Sequence, residues 1–272
     1  MTRTAGDWWQ WPRDRDGFVG HAVPPRPTGR RRASRRGNVR ANECSRARST
    51  VVAVPIRVQI EEGGKRVFAS ALDWPGWSRS GRTAAEGLAA LVDYADRYRA
   101  AIAACRTRFP ARVRPGDLAV VETTAGTSST DFGVPAMPAS SDEGTLSAAE
   151  TRRFVAVLQA CWGTFDETAT RLAKAQLRTG PRGGGRDVAK MRAHVTEGEF
   201  GYLTSLGGKA PPGADIAAIR VAFLAAVDGR LADDIADRGP RGGRRWPARY
   251  AIRRSAWHAL DHAWEMEDRA GR

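Results

Sequence analysis

Four stretches between Ser147 and Arg272 place apolar residues at every third or fourth position, and this periodicity constrains the fold more than any other feature. The first carries Phe154, Leu158, Cys161, Trp162, Phe165, Ala169 and Leu172. Ser147 opens it with Glu150 three residues on, the spacing at which an N-cap hydroxyl and a carboxylate satisfy each other's backbone N–H groups. The second carries Val188, Met191, Val195, Gly198 and Tyr202 and is closed by Gly207-Gly208. The third carries Ile216, Ile219, Phe223, Val227, Leu231 and Ile235. Gly242-Gly243 separates it from the last, where Pro247 stands near the first turn and Tyr250, Trp257 and Trp264 fall at heptad spacing. An amphipathic helix must bury its stripe. Four of them joined by short or medium connections predict an all-α four-helix bundle over residues 147–272.

The preceding residues follow a different period. Val51 to Ile60 is β-branched and partly alternating, Glu61-Glu62-Gly63-Gly64 reads as a turn, and Arg66 to Leu72 as a second strand. Asp73-Trp74-Pro75-Gly76 ends the hairpin. Thr83 and Glu86 have capping-box spacing, and Leu88, Leu91, Val92, Ala95, Tyr98, Ile102 and Cys105 then recur as a helical stripe. Pro110 and Pro115-Gly116 end it, and Leu118 to Glu122 reads as a third strand. The expected fold is therefore α+β, a small β-β-α-β domain over residues 51–124 followed by the bundle. Residues 125–146 are rich in Gly, Ser, Thr and Pro, lack a period, and read as a linker.

The net charge of +14 first suggests nucleic acid or an anionic membrane. Its position weakens that reading. Residues 1–50 hold twelve arginines against four acids, so +8 of the excess lies there and only +6 is spread over the other 222 residues. This leader has no apolar period and reads as disordered. Its arginines with Trp8, Trp9 and Trp11 form one candidate nucleic-acid arm. A solvated extension, or translated sequence upstream of a true start near Val51, is the reading preferred here, because 40 Arg against 4 Lys marks a high-GC composition. Nucleic acid is accordingly not an expected partner. No apolar run reaches the roughly 18–20 residues of a membrane span, and no apolar region marks a secretory signal. Three cysteines without a CxxC pair exclude a disulfide scaffold, so a cytoplasmic setting is expected.

Histidine is scarce, with four in the chain. His21 lies in the leader. His258 and His262 stand four apart on the last helix, which puts both imidazoles on one face with Cβ atoms about 6 Å apart. His194 lies on the second bundle helix, at the edge of its apolar stripe. Facing helices of a bundle commonly build metal sites, and three neutral imidazoles suit zinc, nickel or iron(II) with a position left for water or substrate. Glu197, Asp261 and Glu265 stand three or four residues from a histidine and are candidates to orient a ligand or add a carboxylate. Surface or core histidines without a metal remain the competing reading. Trp162, Tyr202 and Tyr250 are candidate pocket walls or simple core, Cys161 reads as a buried thiol, and Pro181-Arg182-Gly183-Gly184-Gly185 lacks the Lys-Ser/Thr of a phosphate loop.

Two segments resemble known families. Arg186-Asp187 and His194-Val195-Thr196-Glu197-Gly198-Glu199-Phe200-Gly201-Tyr202, together with Trp257-His258-Ala259-Leu260-Asp261-His262-Ala263-Trp264-Glu265, resemble the DinB-like superfamily. The resemblance implies a four-helix bundle of up-up-down-down type and a divalent metal held by His194, His258 and His262. It also implies a thiol-dependent transferase or isomerase that uses mycothiol or bacillithiol, with a small thiol and an electrophile as reaction partners. Upstream, Phe68-Ala69-Ser70-Ala71-Leu72-Asp73-Trp74-Pro75-Gly76, then Gly81-Arg82-Thr83 and Glu86, resemble the HicB-like antitoxin module. That resemblance implies a protein partner bound through residues 51–124. An interaction protein with a structural bundle is therefore the alternative to an enzyme, and a homodimer fits either.

Overall fold

Apolar residues alternate along β1 (Ile56–Glu62), where Ile56, Val58 and Ile60 share one face and Arg57, Gln59 and Glu61 the other. The structure, a computed structural model, describes residues 54–179 and 185–271. β1 pairs antiparallel with β2 (Val67–Ala71), with Val58 opposite Ala71 and Ile60 opposite Ala69. β2 pairs antiparallel with β3 (Ser78–Gly81). The chain then forms α1 (Ala84–Asp93) and α2 (Ala95–Ala101) and returns as β4 (Leu118–Ala125), parallel to β1 with a register shift between Val58 and Gln59. The sheet order is β3-β2-β1-β4. The α+β class is thus as expected, and the order gains a strand. Ser-Arg-Ser-Gly has no apolar alternation. It pairs through its backbone and through a buried hydroxyl contact of 2.6 Å between Ser70 and Ser78.

Helix α1 covers the apolar face. The Thr83 hydroxyl accepts from the Glu86 N–H, as the capping-box spacing predicts, and Trp77 Nε1 donates to the Leu91 carbonyl at 3.0 Å. The expected continuous helix is interrupted at Tyr94, which leaves helical geometry between α1 and α2.

The stretch expected to be a linker is instead ordered and partly buried. It contains α3 (Ser128–Phe132) and a 3₁₀ turn at Ser140–Glu143, with Thr130 and Asp142 almost completely enclosed. The cause is the polar face of β1. The buried Glu61 carboxylate accepts from Thr130 Oγ1 at 2.5 Å and from the backbone N–H groups of Ala136 and Met137 at 3.0–3.1 Å. A buried carboxylate needs such donors, and here they pin an aperiodic segment across the strand.

Four long helices follow, α4 (Ala148–Arg171), α5 (Val188–Leu206), α6 (Ile216–Leu231) and α7 (Ala248–Ala270). Ser147, Asp187 and Asp215 cap the first three through their side chains, and Gly207 ends α5 in left-handed geometry. Trp162 on α4 meets Phe223 on α6 edge to face. Helix α7 is the central element. It packs on α4 and α5 and also against the polar side of the sheet, where Phe68 meets Trp257. Gly76, at φ +90°, lets the turn after β2 lie against α7, since a Cβ there would fall 3.2 Å from the Ala256 backbone. One apolar core runs from Ile56 in the sheet to Met266 in α7, and the described residues 54–178 and 185–271 form one compact unit. No helix among the described residues is long and apolar enough to cross a membrane. The leader, its tryptophans, His21 and Gly183-Gly184 lie outside the described residues.

Candidate metal centre

The two helices carrying the scarce histidines pack against each other. His194 projects from the middle of α5, and His258 and His262 from one face of α7. One nitrogen from each of the three rings lies within 4.8 Å of the other two. The ring centroids are 5.1 Å apart for His194 and His258, 4.9 Å for His194 and His262, and 4.6 Å for His258 and His262. Nε2 of His258 and Nε2 of His194 are separated by 3.3 Å. Two nitrogens bound to one tetrahedral zinc at about 2.05 Å would stand about 3.3 Å apart, so this pair already has the edge length of such a site.

The electrostatics of His194 and His258 favour neutral rings with available lone pairs. His258 and His262 are 4% and 9% exposed. Burial pushes His194 down to about 3, helped by the neighbouring His262 and Arg186. Burial also holds His258 well below the ordinary imidazole range, with His262 and Arg254 adding to the effect. Nδ1 of His258 is buried and has no hydrogen-bond partner among the described residues.

Glu265 orients one ligand. Its Oε2 lies 3.0 Å from His262 Nδ1, and because a carboxylate can only accept, a neutral His262 places its proton there and leaves the Nε2 lone pair free. Burial alone would raise Glu265, yet hydrogen bonds from His262 and Arg269 hold it below the usual carboxylate range. The other expected carboxylates do something else. Asp261 pairs with Arg79 at 3.1 Å, and Glu197 is exposed. Neither belongs to the ligand-like cluster found among the described residues.

Spacing alone gives no reason to pick Gly198 as more than a packing position. In the structure it sits one turn beyond His194 with the His258 ring against it. A Cβ there would fall 2.5 Å from Cε1 and 3.0 Å from Nδ1. A glycine inside a helix, four residues after a candidate ligand, was the available signal. Tyr202, another turn on, turns its ring face or edge to His258 at 5.4 Å and stacks on Trp246. Trp162 is core, its Nε1 donating to Ser255 Oγ at 3.0 Å. Cys161 is fully buried and its thiol is pushed up, so it is not poised as a nucleophile.

The residues fit a divalent cation on their own chemistry: three imidazole nitrogen donors, converged, largely buried and in part oriented by a carboxylate. No protein-family model, curated protein or solved structure matches the chain.

Proposed function

We propose that this chain binds a divalent metal through His194, His258 and His262 and is a thiol-dependent transferase, or a relative of one, of the DinB-like kind. The observation that carries the reading is the convergence of three of the chain's four histidines, from two helices, on one point. When bound, a zinc, nickel or iron(II) ion would supply Lewis acidity that lowers the pKa of a coordinated thiol, mycothiol being the type the resemblance implies.

The chain's own residues have separate tasks in this reading. His194, His258 and His262 hold the ion while remaining neutral, so the site keeps a net positive charge that favours an anionic sulfur. Glu265 fixes the His262 tautomer, and Arg269 holds Glu265 at 2.9 Å. Tyr202 and Trp257 flank His258 and keep water from its ring. Four protein positions, Glu265, Arg269, Tyr202 and Trp257, are thereby committed to the donors, a degree of preorganisation that a solvated histidine cluster does not need.

Metal content of the full chain, purified without chelator, tests the proposal. The expected result is about one equivalent of metal per chain in the wild type and a large loss in His258→Ala, with folding retained by circular dichroism. A folded wild type that neither contains metal nor takes up zinc at micromolar concentration would sink the reading. Retention of full stoichiometry by His258→Ala would move the site elsewhere.

A further inference from the structure

A second site is built on the same helix, one turn toward its N-terminus. Between the polar face of the sheet and α7 lies a cavity of about 20 Å³. Ser70 and Ser78 line it from the sheet, and Tyr250, Arg253, Arg254 and Trp257 line it from α7. Two arginines and no carboxylate form its wall.

The two arginines differ. Arg253 donates to both carboxylate oxygens of Asp142 through Nε and Nη2, and the neighbouring Arg249 reaches Glu150 at 3.5 Å. Arg254 is equally enclosed, at 6% exposure, and no carboxylate among the described residues pairs with it. Its guanidinium lies instead against the rings of Tyr202, at 4.9 Å, and Trp257, at 4.6 Å. A guanidinium keeps its charge at any pH the fold survives. Aromatic faces offset part of the lost hydration, but they accept no conventional hydrogen bond. Arg254 Nη1 and Trp257 Nε1 are both buried donors without an acceptor among the described residues. Native interiors leave few such groups unmet.

One positive charge without a carboxylate partner and two unmet donors, on two residues that line one cavity, call for an acceptor that carries negative charge. A water would satisfy the donors and leave the charge unpaired. The volume admits a group the size of about one or two waters. A planar carboxylate with two oxygens matches that size and the guanidinium fork, and a phosphate with four does not. We infer that this cavity binds the carboxylate of a small organic acid, held by Arg254 and Trp257. The site uses no histidine and requires no metal, although Arg254 and Trp257 also neighbour His258.

Melting temperature of the full chain, titrated with sodium formate and with sodium chloride at equal ionic strength, is the test. A ligand that binds only the folded state raises stability by mass action. The expected result is a saturable rise with formate, larger than that with chloride, in the wild type. Arg254→Gln and Arg254→Met are expected to lose the saturable part, and His258→Ala to keep it. A formate response no larger than the chloride response in the wild type overturns the proposal, whether or not either variant folds. So does a formate curve in either variant that matches the wild type. A wild type that neither contains metal nor takes up zinc, yet responds to formate, would refute the histidine reading alone and support this one.

Discussion

Replacing Gly198 by alanine separates helix formation from site assembly. Alanine is the better helix former by about 1 kcal/mol, so local propensity alone predicts a more stable α5. The new Cβ, however, would lie 2.5 Å from Cε1, 3.0 Å from Nδ1 and 3.5 Å from Nε2 of His258. Ordinary contact begins at 3.4 Å, so the ring must withdraw by about 0.9 Å, several times the roughly 0.2 Å tolerance of a metal–ligand bond. Its retreat is hindered, because His258 is 4% exposed and flanked by Tyr202 and Trp257. Zinc affinity is expected to fall about 10–100-fold, the range seen when a ligand loses its orientation. Competition against a chromophoric chelator measures this, and circular dichroism melting checks the fold. Gly163→Ala is the control. Gly163 lies inside α4 with no heavy atom within 4 Å of where a Cβ would stand, so the variant is expected to gain about 0.5–1 kcal/mol, and about 1–4 °C, with metal binding unchanged. If Gly198→Ala competes for zinc as strongly as Gly163→Ala, the steric argument and the placement of His258 in the site are both wrong.

Two further perturbations probe the buried charges. Asp142→Ala strands Arg253, whose side chain is 8% exposed, without its partner, and is expected to destabilise the fold by about 3–5 kcal/mol in urea denaturation. A change below about 1 kcal/mol would mean that the pair is not buried in solution. Burial pushes Glu199 up to about 7, and the hydrogen bonds and charge of Arg220 oppose it. A carboxyl whose folded pKa is raised binds more protons in the native state, so its contribution to stability falls as pH rises from about 4.5 to 7. The stability of the wild type relative to Glu199→Gln should therefore decline between pH 5 and pH 7.5. A relative stability that grows with pH would show instead that Arg220 depresses Glu199.

What the sequence disclosed follows the range of each signal. Helical periods are local, and the stripes through Phe154, Met191 and Phe223 become α4, α5 and α6 with their caps at Ser147, Asp187 and Asp215. The histidine pair on α7 is equally local, and only its meeting with His194 needed the tertiary fold. Three features were hidden because their causes act across the chain. β3 pairs without apolar alternation, through backbone bonds and the Ser70–Ser78 contact. The segment from Gly126 to Glu143 is ordered by Glu61, more than sixty residues upstream. That Arg254 Nη1 finds no acceptor among the described residues depends on what surrounds it, whereas in sequence Arg254 is one of forty arginines.

The polar content of α7 bears on why the site can be precise. The heptad of Tyr250, Trp257 and Trp264 suggests a helix with one buried side, yet α7 is enclosed along nearly its whole length. A helix buried on all sides by apolar contacts alone has little to fix its rotation, because hydrophobic burial is non-directional. Charges supply direction. Arg79 from β3 holds Asp261, Arg97 from α2 and Arg171 from α4 hold Glu267, Asp142 holds Arg253, and Glu150 holds Arg249. These partners come from the sheet, from the segment after it and from the bundle, and they grip α7 at both ends. A slip by one residue would rotate the helix by about 100° and break all of them together. It would also swing His258 and His262 away from His194. Ion pairs of this kind add little net stability, and their best-attested use is to select one register over others. On α7 that selected register is the one in which three imidazoles converge, so the sheet acts on the histidine centre through the helix it helps to hold.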